Sequence, residues 1–105
     1  MPPIDRGDLF VAERSSRVIG FGEAIAGAIV AVYVDPSQVK LGVGSAIMRR
    51  ALKMARLGHS GPIRVESTLN AASFYENFGF RERARSTVGR GTVAVPIIVM
   101  ERNDT

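Results

Sequence analysis

The stretch that decides the fold is YVDPSQVKLGVGS, residues 33–45, where a strand gives way to a helix. Residues 28–34 (AIVAVYV) lead into it, and their β-branched, nearly all-apolar side chains predict a central strand buried on both faces. Asp35-Pro36-Ser37 ends that strand, and residues 43–57 have the apolar periodicity of a helix. Gly58 suits the C-cap of this helix. A buried strand followed by a helix favours an α/β fold.

The sequence on either side predicts more strands and a second helix. Ser15-Ser16 marks one turn and Ala26-Gly27 another, and Pro96 suggests a bulge or an edge position in the last strand. The order β-β-β-α-β-α-β-β predicts a single α/β domain, residues 1–105, with a mixed sheet and parallel middle strands. The other predicted elements are strands 9–14, 17–25 and 63–68, helix 71–78, and strands 81–88 and 92–102.

The glycine-rich start of the first helix predicts an anion site. Gly42-Val43-Gly44 opens the helix, whose first turn has amide N–H groups without intrahelical partners and a positive dipole end. Glycines remove the Cβ atoms that would hold a phosphate away, and Lys40 adds a positive charge. The alternative is that Gly42 and Gly44 only allow close packing at the turn. The pattern lacks the Gly-Lys-Ser/Thr of a Walker loop and the glycines of a dinucleotide fingerprint.

A second stretch, NAASFYENFGF at residues 70–80, predicts a short helix with an aromatic face. Asn70 can cap this helix. Phe74 and Phe78 have i, i+4 spacing, which directs both toward the core. Tyr75 beside them has two interpretations. It is a packing residue with its hydroxyl at a cleft, or it is a proton donor to a leaving thiolate.

Together these stretches resemble the two signature regions of the GNAT superfamily of N-acetyltransferases. VYVDPSQVKLGVGSAIMRRAL, residues 32–52, looks like its acetyl-CoA motif, a strand, a proline and a Q/R-x-x-G-x-G/A loop that opens a helix. NAASFYENFGF looks like its second motif, an asparagine followed by an aromatic pair and Gly-Phe. The resemblance runs from about residue 9 to residue 102. It implies a GNAT-like fold with two splayed central strands, residues 28–34 and 63–68.

The resemblance also implies that acetyl-CoA is the cosubstrate and lies between the splayed strands. Backbone groups near Tyr33 and Val34 would hold the pantetheine and the acetyl carbonyl, and backbone N–H groups at the helix start would hold the pyrophosphate. Asn70 would contact the cofactor arm, and Tyr75 would lie near the sulfur. The complete set of implied cofactor contacts is Tyr33, Val34, Lys40, Leu41, Gly42, Val43, Gly44, Ser45, Asn70 and Tyr75.

The implied activity is N-acetyltransfer to a primary amine, either a small molecule or a peptide. The amine would attack the thioester directly in a ternary complex, and Tyr75 would protonate the coenzyme A thiolate as it leaves. A general base would help the amine to lose its proton. Strand 28–34 has no carboxylate, although many family members carry a glutamate there. Glu23 and Glu66 are the alternative bases, and either can equally be a solvated strand residue.

The sequence departs from the family pattern in two ways. Val39 stands where the family has Gln or Arg, with Gln38 next to it and Lys40 able to supply the charge. Only residues 1–8 precede Leu9, where family members have a strand and two helices that build much of the acceptor wall. A shortened member would take that wall from a partner subunit or have an open acceptor site. A bare sheet edge also favours a homodimer.

The composition excludes several other functions. The chain has no cysteine and one histidine, His59, which argues against a disulfide framework, thiolate chemistry, a zinc site and a Ser-His-Asp triad. We therefore expect no metal. No apolar run reaches the roughly 18 residues of a membrane span, and the start lacks the pattern of a signal peptide. We expect no membrane partner and a cytoplasmic location.

The basic character of the chain leaves two rival functions open. The net charge is +4, which attracts anions. Arg81, Arg83 and Arg85 alternate along a predicted strand and would point to one face, a row that can attract an acidic substrate or nucleic acid. Few aromatic residues are available for stacking, so nucleic acid is the less favoured partner. The other rival is a non-catalytic acyl-CoA-binding protein. The helix also has a basic face, expected to be solvated, formed by Arg49, Arg50, Lys53 and Arg56.

Overall fold

The chain folds into two units, each built on three strands and one α-helix. The computed structural model describes residues 8–38, 42–89 and 91–103. The first unit is Met1–Ser60 and the second is Gly61–Thr105. The element order is β-β-β-α-β-α-β-β, as the sequence predicts, so the mixed α/β class is confirmed. The single domain and the splay of the two central strands stay predictions.

The first unit is an antiparallel meander with one helix on it. Its elements are β1 (Asp8–Arg14), β2 (Arg17–Ile25), β3 (Ala28–Val34), a 3-10 turn (Pro36–Gln38) and α1 (Val43–Arg56). β1 pairs with β2, and β2 pairs with β3. Ser15 and Ser16 have φ angles of 54° and 63°. Two successive left-handed residues give the twist of a tight hairpin, which confirms the turn.

The helix α1 packs closely on the strands because two glycines make room for it. A Cβ atom on Gly20 would lie 2.7 Å from Cδ1 of Ile47, and one on Gly22 would lie 2.8 Å from Cγ2 of the same side chain. In the sequence these glycines only weaken the strand pattern, whereas in the structure they permit the close approach. The buried residues of α1 are Val43, Ile47, Met48, Ala51, Leu52 and Ala55.

Two register shifts in the meander decide which side chains are buried. The shift between β1 and β2 leaves Ile19 without a cross-strand partner, and its side chain joins Val43 and Ile47 in the core. The shift between β2 and β3 leaves Val30 unpaired. Ile29 is consequently buried, whereas Val30 is 49% exposed. Each shift is a β-bulge, which redirects the side chains on one side of it.

β3 is covered by α1 on one face only, so the prediction of a strand buried on both faces is wrong. Val32 and Val34 pack against the core on the helix side, whereas Tyr33 on the other side is 48% exposed. A continuous apolar run indicates burial but does not say that a second layer covers the strand. We call the side away from α1 the open face, formed in cross-strand register by Leu9, Val11, Phe21, Glu23, Ala31 and Tyr33.

The second unit is also antiparallel. Its elements are β4 (Ile63–Thr68), a 3-10 turn (Leu69–Ala71), α2 (Ala72–Glu76), β5 (Arg81–Val88) and β6 (Val95–Arg102). β6 pairs with both β4 and β5. Pairing with β4 ends at Ile97, so Pro96 has a partner on the β5 side alone. The predicted edge strand is not observed, because β6 is paired on both sides, but Pro96 lies near its start, where a proline is tolerated better than in the middle of a strand.

Candidate functional site

The start of α1 needs glycine for its backbone conformation. Gly42 has φ 79° and ψ 7°, in the left-handed region that other residues rarely adopt. Apart from its chain neighbours, no described residue has a heavy atom within 4 Å of the place where the Cβ of Gly42 would be. The left-handed backbone therefore gives Gly42 a reason other than close packing, whereas for Gly44 both interpretations stay open.

The first turn of α1 leaves its amides available. Ala46 N donates to Gly42 O at 3.1 Å, which is the first bond of the helix. The N–H groups of Val43, Gly44 and Ser45 come before it and have no intrahelical acceptor. Among the described residues no side chain caps the helix, and its first turn contains no acidic residue. These amides and the positive dipole end can receive an anion such as a pyrophosphate.

The segment between β3 and α1 is anchored at its beginning by Asp35. The Asp35 carboxylate accepts bonds from Ser37 N and Ser37 Oγ, both at 2.9 Å, and pairs with Arg17 at 3.1 Å. The Ser37 N–H, its hydroxyl and the Arg17 charge hold the pKa of Asp35 below its usual range. Oε1 of Gln38 is buried without a hydrogen-bond partner in the part of the chain that the structure describes. The predicted contacts Lys40 and Leu41 lie outside the described residues.

At the end of β3, Tyr33 and Val34 lie on opposite faces. The Tyr33 ring stacks on Phe21 with centroids 5.4 Å apart and an interplanar angle of 25°. Val34 packs beside Val43 and Ile47. Asp35 N donates to Ile19 O at 2.8 Å, which fixes the exit of the strand. The backbone contacts that the resemblance gives to Tyr33 and Val34 stay predictions.

In the second unit, Tyr75 combines a packed ring with an unpartnered hydroxyl. Its residue exposure is 6%, and its ring meets Phe74 and Phe80 edge-on at 5.4 and 5.8 Å. The hydroxyl is not fully buried, and it has no hydrogen-bond partner in the described part of the chain. Burial raises the pKa of Tyr75. The phenol therefore stays protonated and able to donate.

The helix α2, which contains Phe74 and Tyr75, is shorter than predicted. Asn70 does not cap an α-helix, because it lies in the 3-10 turn, and α2 begins at Ala72. The side chain of Asn70 is exposed. Phe74 and Phe78 lie on the same side with ring centroids 5.2 Å apart, but both are only half-buried, and Tyr75 and Phe80 are the buried aromatic residues of this segment. Gly79 with φ 91° ends the segment.

The two candidate bases have different surroundings. Glu66 is exposed on β4 and pairs with Arg64 at 3.2 Å, with each side chain about half exposed. Such an exposed pair contributes little to stability. Glu23 is half-buried on the open face, between Leu9 of β1 and Ala31 of β3 in the strand register. Its carboxylate has no cationic partner among the described residues.

The arginine row expected on one strand face does not form. A register shift in β5 leaves Arg83 without a β6 partner, so Arg81 and Arg85 fall on opposite faces. Arg85 also pairs with Glu82 at 2.7 Å, and Arg83 pairs with Glu101 at 3.4 Å. The prediction of one basic face is wrong. The nucleic-acid interpretation consequently loses its main structural support.

The remaining candidate features are few. Arg49 and Lys53 are exposed on α1, as expected, and the guanidinium of Arg50 lies 5.0 Å from the centroid of the Phe10 ring. Within residues 8–38, 42–89 and 91–103, no three His, Cys, Asp or Glu side chains are grouped so that they could hold a metal ion. A search of the same residues finds no helix both long and apolar enough to cross a membrane.

Comparison with known proteins identifies the family. The model of the acetyltransferase (GNAT) domain family matches residues 5–82. The chain belongs to this family. The glycine-started helix α1 and the aromatic segment of α2 both lie inside the matched range. The resemblance seen in the two sequence motifs is thus confirmed.

Solved GNAT structures have the same fold. A GCN5-related N-acetyltransferase from Rhodopseudomonas palustris has 23% identity and a TM-score of 0.83, over 90% of this chain and 60% of its own. YjaB from Escherichia coli, in its apo form, has 24% identity and a TM-score of 0.73, over 90% of this chain and 64% of its own.

A third structure contains a ligand. PaiA N-acetyltransferase from Thermoplasma acidophilum, in complex with coenzyme A, has 20% identity and a TM-score of 0.68, over 91% of this chain and 60% of its own. Identities this low show the shared fold alone. The chain spans between 60% and 64% of the length of these three proteins.

Proposed function

We propose that the protein transfers an acetyl group from acetyl-CoA to a primary amine. The observation that carries the proposal is the start of α1, where Gly42 is left-handed and where no described side chain caps the first turn or fills the place of a Gly42 Cβ. Membership in the GNAT family and the coenzyme A bound in the Thermoplasma structure support acetyl-CoA as the cosubstrate. The acceptor is a small-molecule or peptide amine.

In this proposal the first unit binds the cofactor through its backbone. The N–H groups from Leu41 to Ser45 hold the pyrophosphate, with Lys40 adding charge. Backbone groups at Tyr33 and Val34 hold the pantetheine and the acetyl carbonyl. No metal is required, because the amide dipoles supply the positive potential. Asn70 contacts the cofactor arm.

The chemical step is direct attack of the amine on the thioester carbon. A neutral amine nitrogen forms the new C–N bond, and collapse of the tetrahedral intermediate breaks the C–S bond. The Tyr75 hydroxyl donates its proton to the departing thiolate, for which its raised pKa and its lack of a hydrogen-bond partner among the described residues are suited. Glu23 and Glu66 are the candidates for the base that receives the amine proton.

The two ends of α1 provide a matched test of cofactor binding. Gly42 and Gly58 are both left-handed, with φ 79° and 69°, and both would place a Cβ in open space. Replacement of either by alanine should destabilise the fold by about 1–2 kcal/mol. Only Gly42→Ala should weaken acetyl-CoA binding in calorimetry, by about tenfold or more, because a methyl group disturbs a charge-assisted hydrogen bond. Equal affinities in the two variants would remove the helix start from the cofactor site.

The two tyrosines of the chain provide a matched test of the chemical step. Tyr75→Phe should lower kcat by about 10²-fold or more, since it removes a proton donor, while the acetyl-CoA dissociation constant stays unchanged. Tyr33→Phe removes a hydroxyl to which the mechanism gives no role, so its kcat should equal that of the parent. Because burial raises the pKa of Tyr75, any loss of kcat from its ionisation should begin above the pH at which an ordinary tyrosine ionises. Normal turnover in Tyr75→Phe would exclude this residue as the acid.

The homodimer predicted from a bare sheet edge also stays a proposal. All eight residues of β5 are exposed, and Arg83 bulges out of its register. Charged side chains and bulges of this kind discourage edge-to-edge pairing. We therefore expect a dimer, if sedimentation detects one, to leave β5 unpaired. A Glu82→Val variant that changes the association constant several-fold would contradict that expectation.

A further inference from the structure

The open face of the meander contains a carboxylate to which no described residue supplies a countercharge. Of the half-buried carboxylates whose side chains are described, Asp35 pairs with Arg17 and Glu101 pairs with Arg83. Glu23 alone has no cation, although the chain has a net charge of +4. A partly desolvated carboxylate without a countercharge is unfavourable. A bound cation would remove that cost.

An exposed aromatic pair lies next to this carboxylate. Phe21 and Tyr33 stack at 5.4 Å, and nearly half of Tyr33 is exposed. Phe21 precedes Glu23 by two residues on β2, so the two side chains share a face about 7 Å apart along the strand. Tyr33 is the cross-strand partner of Phe21 and hence the diagonal neighbour of Glu23. Aromatic side chains can reach a diagonal neighbour at this spacing.

Apolar side chains border the same place. Leu9 is paired with Glu23 and is 64% exposed, and Val11 is paired with Phe21 and is 52% exposed. An organic ammonium ion has a charged end and an apolar end. The carboxylate and the two ring faces suit the charged end, and the two aliphatic side chains suit the apolar end. The charged end would meet the carboxylate and a ring face, as in cation–π recognition, and the apolar end would cover the aliphatic side chains.

We propose that Glu23 and the Phe21–Tyr33 pair form the subsite that binds the ammonium group of the acceptor. The substrate class is then a primary amine with an adjacent apolar group and no carboxylate of its own. This inference rests on the proposed acetyltransferase function. An anionic amine would meet the charge of Glu23 and be rejected, so the subsite would also determine specificity.

The test measures binding without acetyl-CoA, so it does not depend on turnover. The probe is 2-phenylethylammonium, and its matched neutral control is 2-phenylethanol, which has the same shape without the charge. Titration is followed by the chemical shifts of the open-face residues. We expect the ammonium to bind more tightly than the alcohol. Glu23→Gln should weaken ammonium binding by about tenfold or more, as expected for loss of a charged hydrogen-bond partner, and should leave alcohol binding unchanged.

Further variants separate the subsite from simple effects of charge. Glu13 is an exposed acid on β1, so Glu13→Gln removes the same charge from another position and should leave ammonium affinity unchanged. Glu23→Asp retains the charge and should recover part of the affinity. Tyr33→Leu should weaken ammonium binding by about two- to fivefold, the effect of one cation–π contact.

Three results would overturn the subsite. They are equal binding of ammonium and alcohol, unchanged affinity in Glu23→Gln, and absence of any ammonium binding to the parent protein. Failure of the subsite and failure of the proposed function are distinguishable. A protein that acetylates amines with the same KM in Glu23→Gln keeps the function and loses the subsite. A protein that binds the ammonium through Glu23 but releases no coenzyme A keeps the subsite and loses the function.

Discussion

The two faces of the meander have opposite compositions and opposite surroundings. On the face covered by α1, the central positions of β2 are Gly20 and Gly22, and a Cβ on either would clash with Ile47. On the open face, the corresponding positions are large, with Phe21 and Tyr33 stacked across the strands. Small strand residues thus mark the face where a helix comes close, whereas large exposed ones mark a surface available to a ligand.

The aromatic residues of the two faces also differ in their charged neighbours. Phe10, which packs beside the helix-side core, has the Arg50 guanidinium 5.0 Å from its ring centroid. The Phe21–Tyr33 pair on the open face has no such cation among the described residues, and Glu23 lies next to it instead. Arg50 therefore supplies a cation to the covered face, whereas no described residue supplies one to the Phe21–Tyr33 pair.

Among the tests of this comparison, the largest change in stability is expected from truncation of Ile47, the side chain for which Gly20 and Gly22 make room. Ile47 is 2% exposed. Ile47→Ala should lower the free energy of unfolding by about 2–5 kcal/mol, because it removes buried methylene and methyl groups and leaves a cavity between α1 and β2. Urea denaturation followed by circular dichroism measures the change.

A matched truncation on the open face is the control for Ile47→Ala. Leu9→Ala removes an aliphatic side chain of similar size from an exposed position, and it should alter stability by no more than about 0.5 kcal/mol. Comparable losses in the two variants would mean that the open face is buried in solution. In that case the contrast between the faces, and the ligand site argued from it, would both be wrong.

The parts of the fold that the sequence predicts are those fixed by local chemistry. Ser15-Ser16 and Gly58 mark a hairpin turn and a helix end, and each has the left-handed φ that its position requires. The helix α1 follows from the spacing of its own apolar residues and ends within one residue of the prediction. These signals are contained within a few neighbouring residues, so no knowledge of the rest of the chain is needed.

The parts that the sequence does not predict depend on distant residues. The bulges at Ile19, Val30 and Arg83 arise from the register of one strand against another, and strand alternation assumes that no such shift occurs. The prediction of an arginine row is wrong because of the register shift at Arg83. The prediction that β3 is buried on both faces is wrong because a helix covers only one of them. Register depends on how two strands pair, so the sequence pattern of one strand does not predict it.

The candidate site shows the same division. Gly42 is recognisable in the sequence because a glycine pattern at a helix start has a local meaning. Whether Glu23 has an ion-pair partner cannot be predicted from the sequence, because that depends on which cations the fold brings near it. Glu66 looks equivalent to Glu23 in the sequence, yet Arg64 pairs with Glu66, whereas no described residue forms an ion pair with Glu23.

The smallest expected effect concerns the cation that the covered face already has. Arg50→Met keeps an unbranched apolar stem and removes the charge above Phe10, so it should lower the free energy of unfolding by about 0.5–1 kcal/mol, the range of an exposed cation–π contact. Arg49→Met is the control, because Arg49 is exposed on the same helix without an aromatic partner. Its expected change is smaller.

A double-mutant cycle then assigns the Arg50 effect to the ring. Phe10→Leu leaves an aliphatic group in place of the aromatic face, so Arg50→Met should have almost no effect in that background. An Arg50 effect that persists without the ring would come from the apolar stem or from general charge, and the internal cation–π pair would be refuted. The two faces would then no longer differ in having an internal cation beside an aromatic ring. The case for an external cation at Phe21 and Tyr33 would depend on Glu23 alone.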